Sequence, residues 1–464
     1  MSLIIPANTL ASGGFAVDNS CRFNNGSSDY LNRSVGGNST LNTKGTWSTW
    51  IKKANTTDAQ NTLFSGYADA NNRVYSVLNS NKLVIFGKVG GTGTYSIELD
   101  MYFRDFSAWY NVVVAVDTTQ GTASDRIKYY INGTTPVASL LGTSVYPVQD
   151  SAIPYAATSS YNNLVGAAYT TSITQYLSGY LAETVFIDGL ALDATSFGEF
   201  NSQTGIWVPK VVTGLTFGDN GFYQNYSNAS ALGEDFSGND NDFTVNNLTS
   251  IDQSTDTCST NFATFNALTK NTARGTLSNG NLTYVATDSN WSAIPSSIGV
   301  SSGKWYAEFK FSSSVGNDLN VGIIDEASLY NVISSGTGAS DFYIGKTSGS
   351  YGYFANGNKV NNASSTAYGA SYTNGDIVGV ALDMDAGTIV FYKNGASQGT
   401  AFTGLSGTYF IGLSTYKTGE ANFGSPSFAI SSGNTDQNGF GNFEYAPPAG
   451  YLSLNTKNLA AVLA

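Results

Sequence analysis

The sequence has no histidine and only two cysteines, Cys21 and Cys258. The first absence removes the commonest general base at neutral pH and the commonest metal ligand. A Ser/His/Asp triad, a Cys/His pair and a His-liganded zinc site are excluded. The second absence excludes all-cysteine zinc sites and iron–sulfur clusters within one chain. Charge is also scarce: 12% of residues are charged, against an ordinary share of ~25%. Lys and Arg number 21, Asp and Glu 33, and the net charge is −12. Phosphate binding needs grouped Lys and Arg, so no nucleic-acid partner is expected. The acidic excess is spread thinly and reads as a solubility feature. No apolar run exceeds strand length, so a transmembrane helix is excluded and no membrane insertion is expected. The opening residues MSLIIPANTLASGG have no basic n-region and too short an apolar patch for a signal peptide. They predict synthesis in a cytosol, with any exit by lysis or a dedicated machine.

What is present points to strands. The 464 residues include 51 Gly, 29 Tyr and 26 Phe. Turn formers mixed with β-branched and aromatic residues predict many short strands joined by tight turns. No window holds a 3.6-residue apolar period for more than about three turns. Residues 1–18 read as an arm, in which Leu3-Ile4-Ile5 either lies in a disordered leader or docks as a strand on a neighbour. Residues 19–209 alternate strand and turn. Asn79-Ser80-Asn81 predicts a hairpin turn, and Asn132-Gly133 is the strongest short hairpin signal. A short helix is expected over 193–201, capped by Asp193, with Phe197 and Phe200 packed inward. Residues 210–265 form a polar bridge with an Asp/Asn-rich turn. In residues 266–446, Val378, Val380 and Leu382 alternate inward, Asp385-Ala386-Gly387 turns, and Ile389 and Phe391 return on the core face. Residues 447–464 form a C-terminal tail. The expected fold is all-β: two antiparallel β-sandwich (jelly-roll) domains joined by the polar bridge.

Two family resemblances sit on particular residues. Ser48-Thr49-Trp50-Ile51, the strand at 109–117, Tyr129 to Thr134 and the stretch 177–192 resemble, in that order, the laminin-G-like, concanavalin A-like jelly roll. Ser302-Gly303-Lys304-Trp305-Tyr306-Ala307-Glu308, Asn320 to Ile324, 375–395 and Ala421-Asn422-Phe423-Gly424 closely resemble a SPRY domain. The pair of modules in this order, the segment Asp18 to Leu31 and the tail from Tyr445 to Leu459 are similar to bacteriophage structural proteins of the tail-fibre or head-appendage type. That resemblance implies a non-catalytic virion protein, made in the bacterial host cytoplasm, that adheres to the host cell surface. It implies other virion proteins as partners, a homotrimer, and a host surface glycan as ligand. A carbohydrate-active depolymerase of the concanavalin A-like class and a SPRY-type peptide-binding adaptor stand as alternatives.

Candidate site residues follow from this frame. Paired carboxylates are the one catalytic option left. Asp383 and Asp385, and the adjacent Asp325-Glu326, are the pairs, and each also reads as turn chemistry. No enzyme is expected. Asp235, Asn239, Asp240, Asn241 and Asp242 gather oxygen donors round a glycine turn. Asp235, Asn239, Asn241 and Asp242 are candidate calcium ligands, with a metal-free Asx turn as the alternative. No other cofactor is expected. SPRY modules bind through loops, so Tyr330, Tyr343, Tyr351 and Tyr368 form a candidate ligand surface. Tyr102, Trp109, Tyr353 and Phe354 are further aromatics suited to stacking on sugars. Cys21 and Cys258 are either a disulfide, worth roughly 4–5 kcal/mol for so long a loop, or two buried thiols.

Overall fold

The computed structural model describes residues 15–37, 42–54, 60–91, 93–136, 141–155, 160–271, 274–287, 289–313, 319–334 and 342–463. The Leu3-Ile4-Ile5 arm lies outside them. The chain divides between Ser259 and Thr260 into two compact units.

Among the described residues, the first unit holds a seven-stranded and an eight-stranded sheet. The central strand of the seven-stranded sheet, Gly179–Asp188, pairs antiparallel with Lys44–Lys53 and Ser20–Phe23. It is buried along its whole length because both of its faces carry a core. Trp47, Ile51, Leu181 and Phe186 point into the space between the two sheets. Trp50, Tyr180, Ala182, Val185 and Ile187 point the other way, onto Phe197, Trp207 and Cys258. The turn chemistry read from the sequence is present. Ser80 and Asn81, and Asn132 and Gly133, all take positive φ at two-residue turns, as primed hairpin turns require. A Cβ at Gly133 would meet the Trp207 ring at 2.1 Å, so glycine is required there twice over.

Two expectations are corrected in this unit. The stretch 193–201 is not a helix: a single 3-10 turn, Ala194–Ser196, is capped by Asp193 and gives way to the strand Gly198–Phe200. Phe197 is buried, while Phe200 is exposed and stacks edge-on against Trp207. Nor is 210–265 a bridge. Phe222–Gln224 pairs with Gly179–Asp188, Thr244–Asn246 with Tyr30–Ser34, and Gln253–Ser254 with Ser20–Phe23. Its polar side chains are anchors. Asp256 accepts from Lys52 Nζ at 2.6 Å and from Trp109 Nε1 at 3.1 Å, with both charges buried. Phe222 and Phe243 both lie beside the buried Arg33 guanidinium, at 5.4 and 5.3 Å.

The second unit is a sandwich of an eight-stranded and a six-stranded sheet. Val378, Val380, Leu382, Ile389 and Phe391 all enter its core, as their alternation predicts. The sheets are antiparallel apart from one short parallel pairing, Leu452–Ser453 beside Trp305 and Tyr306. That pairing belongs to the tail, which continues into the helix Thr456–Leu463 and packs Leu459 and Val462 on the core. Two buried carboxylates hold the preceding loop. Glu308 accepts from the Glu444 and Tyr445 amides at 2.9 and 2.8 Å. Asp436 accepts from Ser453 and Asn458.

The six-stranded sheet has a row of glycines across it, with Gly412 and Gly352 each opposite Gly322. A segment of chain, Phe342 to Lys346, crosses directly over that row. A Cβ at Gly322 would meet Ile344 Cγ2 at 2.9 Å and the Tyr351 carbonyl oxygen at 2.0 Å. The crossing segment is pinned by Ile344 N to Ser414 Oγ at 3.0 Å and Asn320 Nδ2 to Ile344 O at 2.5 Å. Phe342 and Ile344 sink into a small cluster with Ala293, Ile324 and Val332. Extended backbone alternates its side chains, so Tyr343 between them turns outward.

Candidate binding site

Tyr343 turns into a pocket of about 330 Å³ on the second unit. One wall is aromatic: Trp291, Tyr343, Phe354 and Tyr416. Trp291 is its centre, with ring centroids 5.9 Å from Tyr343, 5.3 Å from Phe354 and 5.2 Å from Tyr416. Phe354 and Tyr416 stand at 74° and 89° to it, the edge-to-face geometry that the ring quadrupole favours. The rest of the lining is made of small side chains, the polar Asn356 and Ser365 and the apolar Val360 and Ala363. All four aromatics are half-buried, so they are braced by the fold and still reach solvent. Among the described residues no Asp, Glu, Lys, Arg or Cys lines the pocket.

The strand order builds this wall. Trp291 precedes Ser292–Val300 and Tyr416 follows Tyr409–Thr415, and Ser292 lies opposite Thr415. Phe354 ends Ser350–Phe354, whose Tyr353 faces the core instead. The tertiary fold thus gathers residues from 291 to 416 at one end of one sheet.

Of the four tyrosines expected to form a surface, only Tyr343 lines the pocket. Tyr351 packs edge-on against Phe402 and Tyr409. Tyr368 packs on Tyr353 and Phe391, and its hydroxyl donates to the Gly399 carbonyl. Tyr330 is 73% exposed on the short helix Leu329–Ser334. The four are therefore corrected to one pocket residue, two packing residues and one separate exposed ring. Of the other aromatics, Phe354 is in the pocket, Trp109 and Tyr353 are buried, and Tyr102 is exposed beside Arg104. Trp291 and Tyr416 were missed, because neither lies in a recognisable motif.

The calcium expectation meets a donor set that does not fit. Asp235 Oδ1 accepts from the Tyr223 and Ser237 amides, and its Oδ2 from Ser237 Oγ and the Asn241 amide, at 2.7–2.9 Å. Asp242 Oδ1 accepts from the Asp235 amide. Asn239 and Asn241 turn their Nδ2 groups to the carbonyls of Gly218, Asp219 and Gly221. Both Asp235 oxygens and one of Asp242 are taken by local donors, and the two asparagines present Nδ2, not oxygen, to their neighbours. Among the described residues no cluster of three or more Cys, Asp or Glu is arranged to hold a metal.

The disulfide expectation is likewise corrected. Both cysteines are free and buried. Cys21 lies in the core between the sheets and Cys258 in the layer on the opposite face, so a strand separates them. Burial pushes both thiols well above their ordinary pKa.

The carboxylate pairs are occupied by turns. Asp383 accepts the Ala386 amide and pairs with Lys304 at 3.0 Å, and Asp385 accepts the Gly303 amide. Asp325 accepts the Ser328 amide. Burial pushes two single carboxyls, Glu183 and Glu308, up to about 7. Such values suit a general acid. Here Glu183 is closed in by the Tyr223 hydroxyl at 2.6 Å, and Glu308 by the loop it holds.

Comparisons with known proteins agree with the two architectures. Residues 25–194 match a model described as the concanavalin A-like lectin/glucanases superfamily, and residues 304–426 match the SPRY domain model. An E3 ubiquitin-protein ligase, RKP of Arabidopsis thaliana, is 36% identical over 94 residues, which is 18% of this chain. The chain spans only 7% of that relative's length. Among solved structures, the SPRY domain of human HERC1 is 23% identical, covering 30% of this chain and 87% of that one with a TM-score of 0.26. Stonustoxin is 23% identical, covering 34% of this chain and 26% of that one with a TM-score of 0.28. The TRIM65 PSpry domain is 16% identical, covering 34% and 89% with a TM-score of 0.28. The two matched models place a concanavalin A-like domain ahead of a SPRY domain in this chain.

Proposed function

We propose that this is a non-catalytic binding protein whose SPRY domain makes contact through the Trp291 pocket, and that it serves as a bacteriophage virion component of the tail-fibre or head-appendage type, adhering to the host surface. The observation that carries the binding reading is the character of the pocket. It combines half-buried aromatics with the polar Asn356 and Ser365 and, among the described residues, no charged side chain or thiol. Such a lining suits holding a ligand by stacking and hydrogen bonding. The virion placement is supported by the module order and by the terminal segments that resemble phage structural proteins. A peptide-binding adaptor is the second reading, supported by the 94-residue similarity to a ubiquitin ligase.

The test is adhesion. Fluorescently labelled full-length chain is expected to bind host bacteria and to compete with intact particles. Trp291→Ala is expected to lower cell binding more than tenfold. Unchanged binding by that variant overturns the pocket assignment. Absence of the chain from purified particles by mass spectrometry overturns the virion placement. Release of new reducing ends from a polysaccharide overturns the non-catalytic reading.

A further inference from the structure

Two of the pocket's polar side chains have a donor to spare, beside the Tyr343 and Tyr416 hydroxyls, which can donate or accept. Asn356 Oδ1 accepts the Asn358 amide at 3.0 Å. That bond fixes the side chain with its Nδ2 unpartnered among the described residues. Ser365 Oγ accepts from Asn358 Nδ2 at 3.1 Å, which leaves the hydroxyl hydrogen free. Asn356 and Ser365 therefore each bring a donor to a pocket whose aromatic cluster is centred on the Trp291 indole.

We infer, resting on the reading of this pocket as the contact site, that its ligand is an uncharged pyranose unit of a surface glycan. A sugar ring has two unlike sides. Its C–H face packs on an aromatic ring, and its hydroxyl and ring oxygens accept hydrogen bonds at the edge. The pocket lining holds both kinds of group. A quaternary ammonium would suit the rings but carries no acceptor for the two donors. An aliphatic or proline side chain by itself brings no acceptor, and a peptide would have to supply one from its backbone carbonyls. A uronic acid or sulfated sugar brings an anion to a pocket that no cation lines; Lys417 lies beyond it, 5.5 Å from the Tyr416 ring centroid.

The experiment is saturation-transfer NMR on the full chain with methyl glycosides of galactose, glucose, mannose, N-acetylglucosamine and glucuronic acid, and with choline. Transfer is expected to the ring C–H protons of at least one neutral glycoside, with none to the glucuronide or choline. Trp291→Ala is expected to reduce the transfer at least tenfold and Trp291→Phe by under threefold. Ser365→Trp fills the pocket from an exposed edge strand and is expected to abolish transfer with the aromatic wall intact. It guards against misfolding of the Trp291→Ala variant. Binding of choline or the glucuronide in place of neutral sugars overturns the inference. So does sugar binding that survives both Trp291→Ala and Ser365→Trp. Loss of cell adhesion in Trp291→Ala with no neutral glycoside bound overturns the sugar class and keeps the pocket. Undiminished adhesion in that variant overturns both.

Discussion

Glu308 gives the sharpest test of how the SPRY domain is held together. Its carboxylate is fully buried and accepts from the Glu444 amide at 2.9 Å, the Tyr445 amide at 2.8 Å, Asn422 Nδ2 at 3.1 Å and Tyr306 Oη at 3.3 Å. These four donors are neutral dipoles. They favour the charged form, yet burial outweighs them and pushes the group from its ordinary 4.5 up to about 7. The sign of the linkage follows. The unfolded chain ionises near 4.5 and the folded one near 7, so the group's contribution is fully present below pH 4.5 and is lost as pH rises through 7. At 1.36 kcal/mol per pKa unit the whole difference is about 3 kcal/mol. Glu183 in the first domain, also raised to about 7, adds the same sign. Asp69, Asp117, Asp376 and Glu444 are lowered and titrate below this window. The expected outcome is a urea midpoint that rises from pH 8 to pH 5, the reverse of ordinary acid sensitivity. Glu308→Gln keeps the shape but turns an amide N–H₂ toward donors. It is expected to cost about 2–3 kcal/mol at pH 5 and to flatten the dependence left by the SPRY domain. Urea titrations followed by aromatic fluorescence, at pH 5, 6.5 and 8, measure both. A wild-type midpoint that is constant or falls on acidification refutes the reasoning.

Other perturbations test separate parts of the fold. Gly322→Val drives a side chain into the Tyr351 carbonyl and Ile344, so a loss of about 1–3 kcal/mol is expected, with faster amide exchange over 342–346 in hydrogen-exchange mass spectrometry. Asp256→Ala strands the buried Lys52 ammonium and the Trp109 indole N–H, and a thermal scan should report a loss of about 3–5 kcal/mol. A chelator is expected to leave the melting temperature unchanged, because backbone donors already satisfy Asp235; a rise of several degrees with added calcium would restore the metal. Neither cysteine is expected to react with a thiol reagent in the native protein, and both should react in urea, as read by intact mass.

Local features were legible because their causes are local. Ser80-Asn81, Asn132-Gly133 and Asn394-Gly395 take positive φ because those residue types tolerate it, and each pair closes a turn where the flanking strands run out. The inward set Val378, Val380, Leu382, Ile389 and Phe391 follows from a period of two. The stretch 210–265 is not legible as part of a sheet because periodicity weighs apolar residues. This segment is fastened by polar ones, through Asp256 to Lys52 and Asp235 to backbone amides. A composition-based reading sees Asp, Asn, Ser and Gly and calls them solvent. Only the fold shows that their partners are buried.

The pocket marks the same divide. Sequence alone decided that the chain is all-β, that it has no histidine chemistry and no all-cysteine metal site, and that its second half resembles SPRY strands, because alternation, turn residues and composition act within a few positions. It did not place Trp291, Tyr343, Phe354 and Tyr416 together. Their meeting depends on Ser292 lying opposite Thr415, on Gly322 and Gly352 leaving room for a crossing chain, and on Phe342 and Ile344 turning inward so that Tyr343 turns out. Each of these is a pairing between residues far apart in the chain, and such pairings are settled by packing, to which the spacing of residues along the chain gives no direct access.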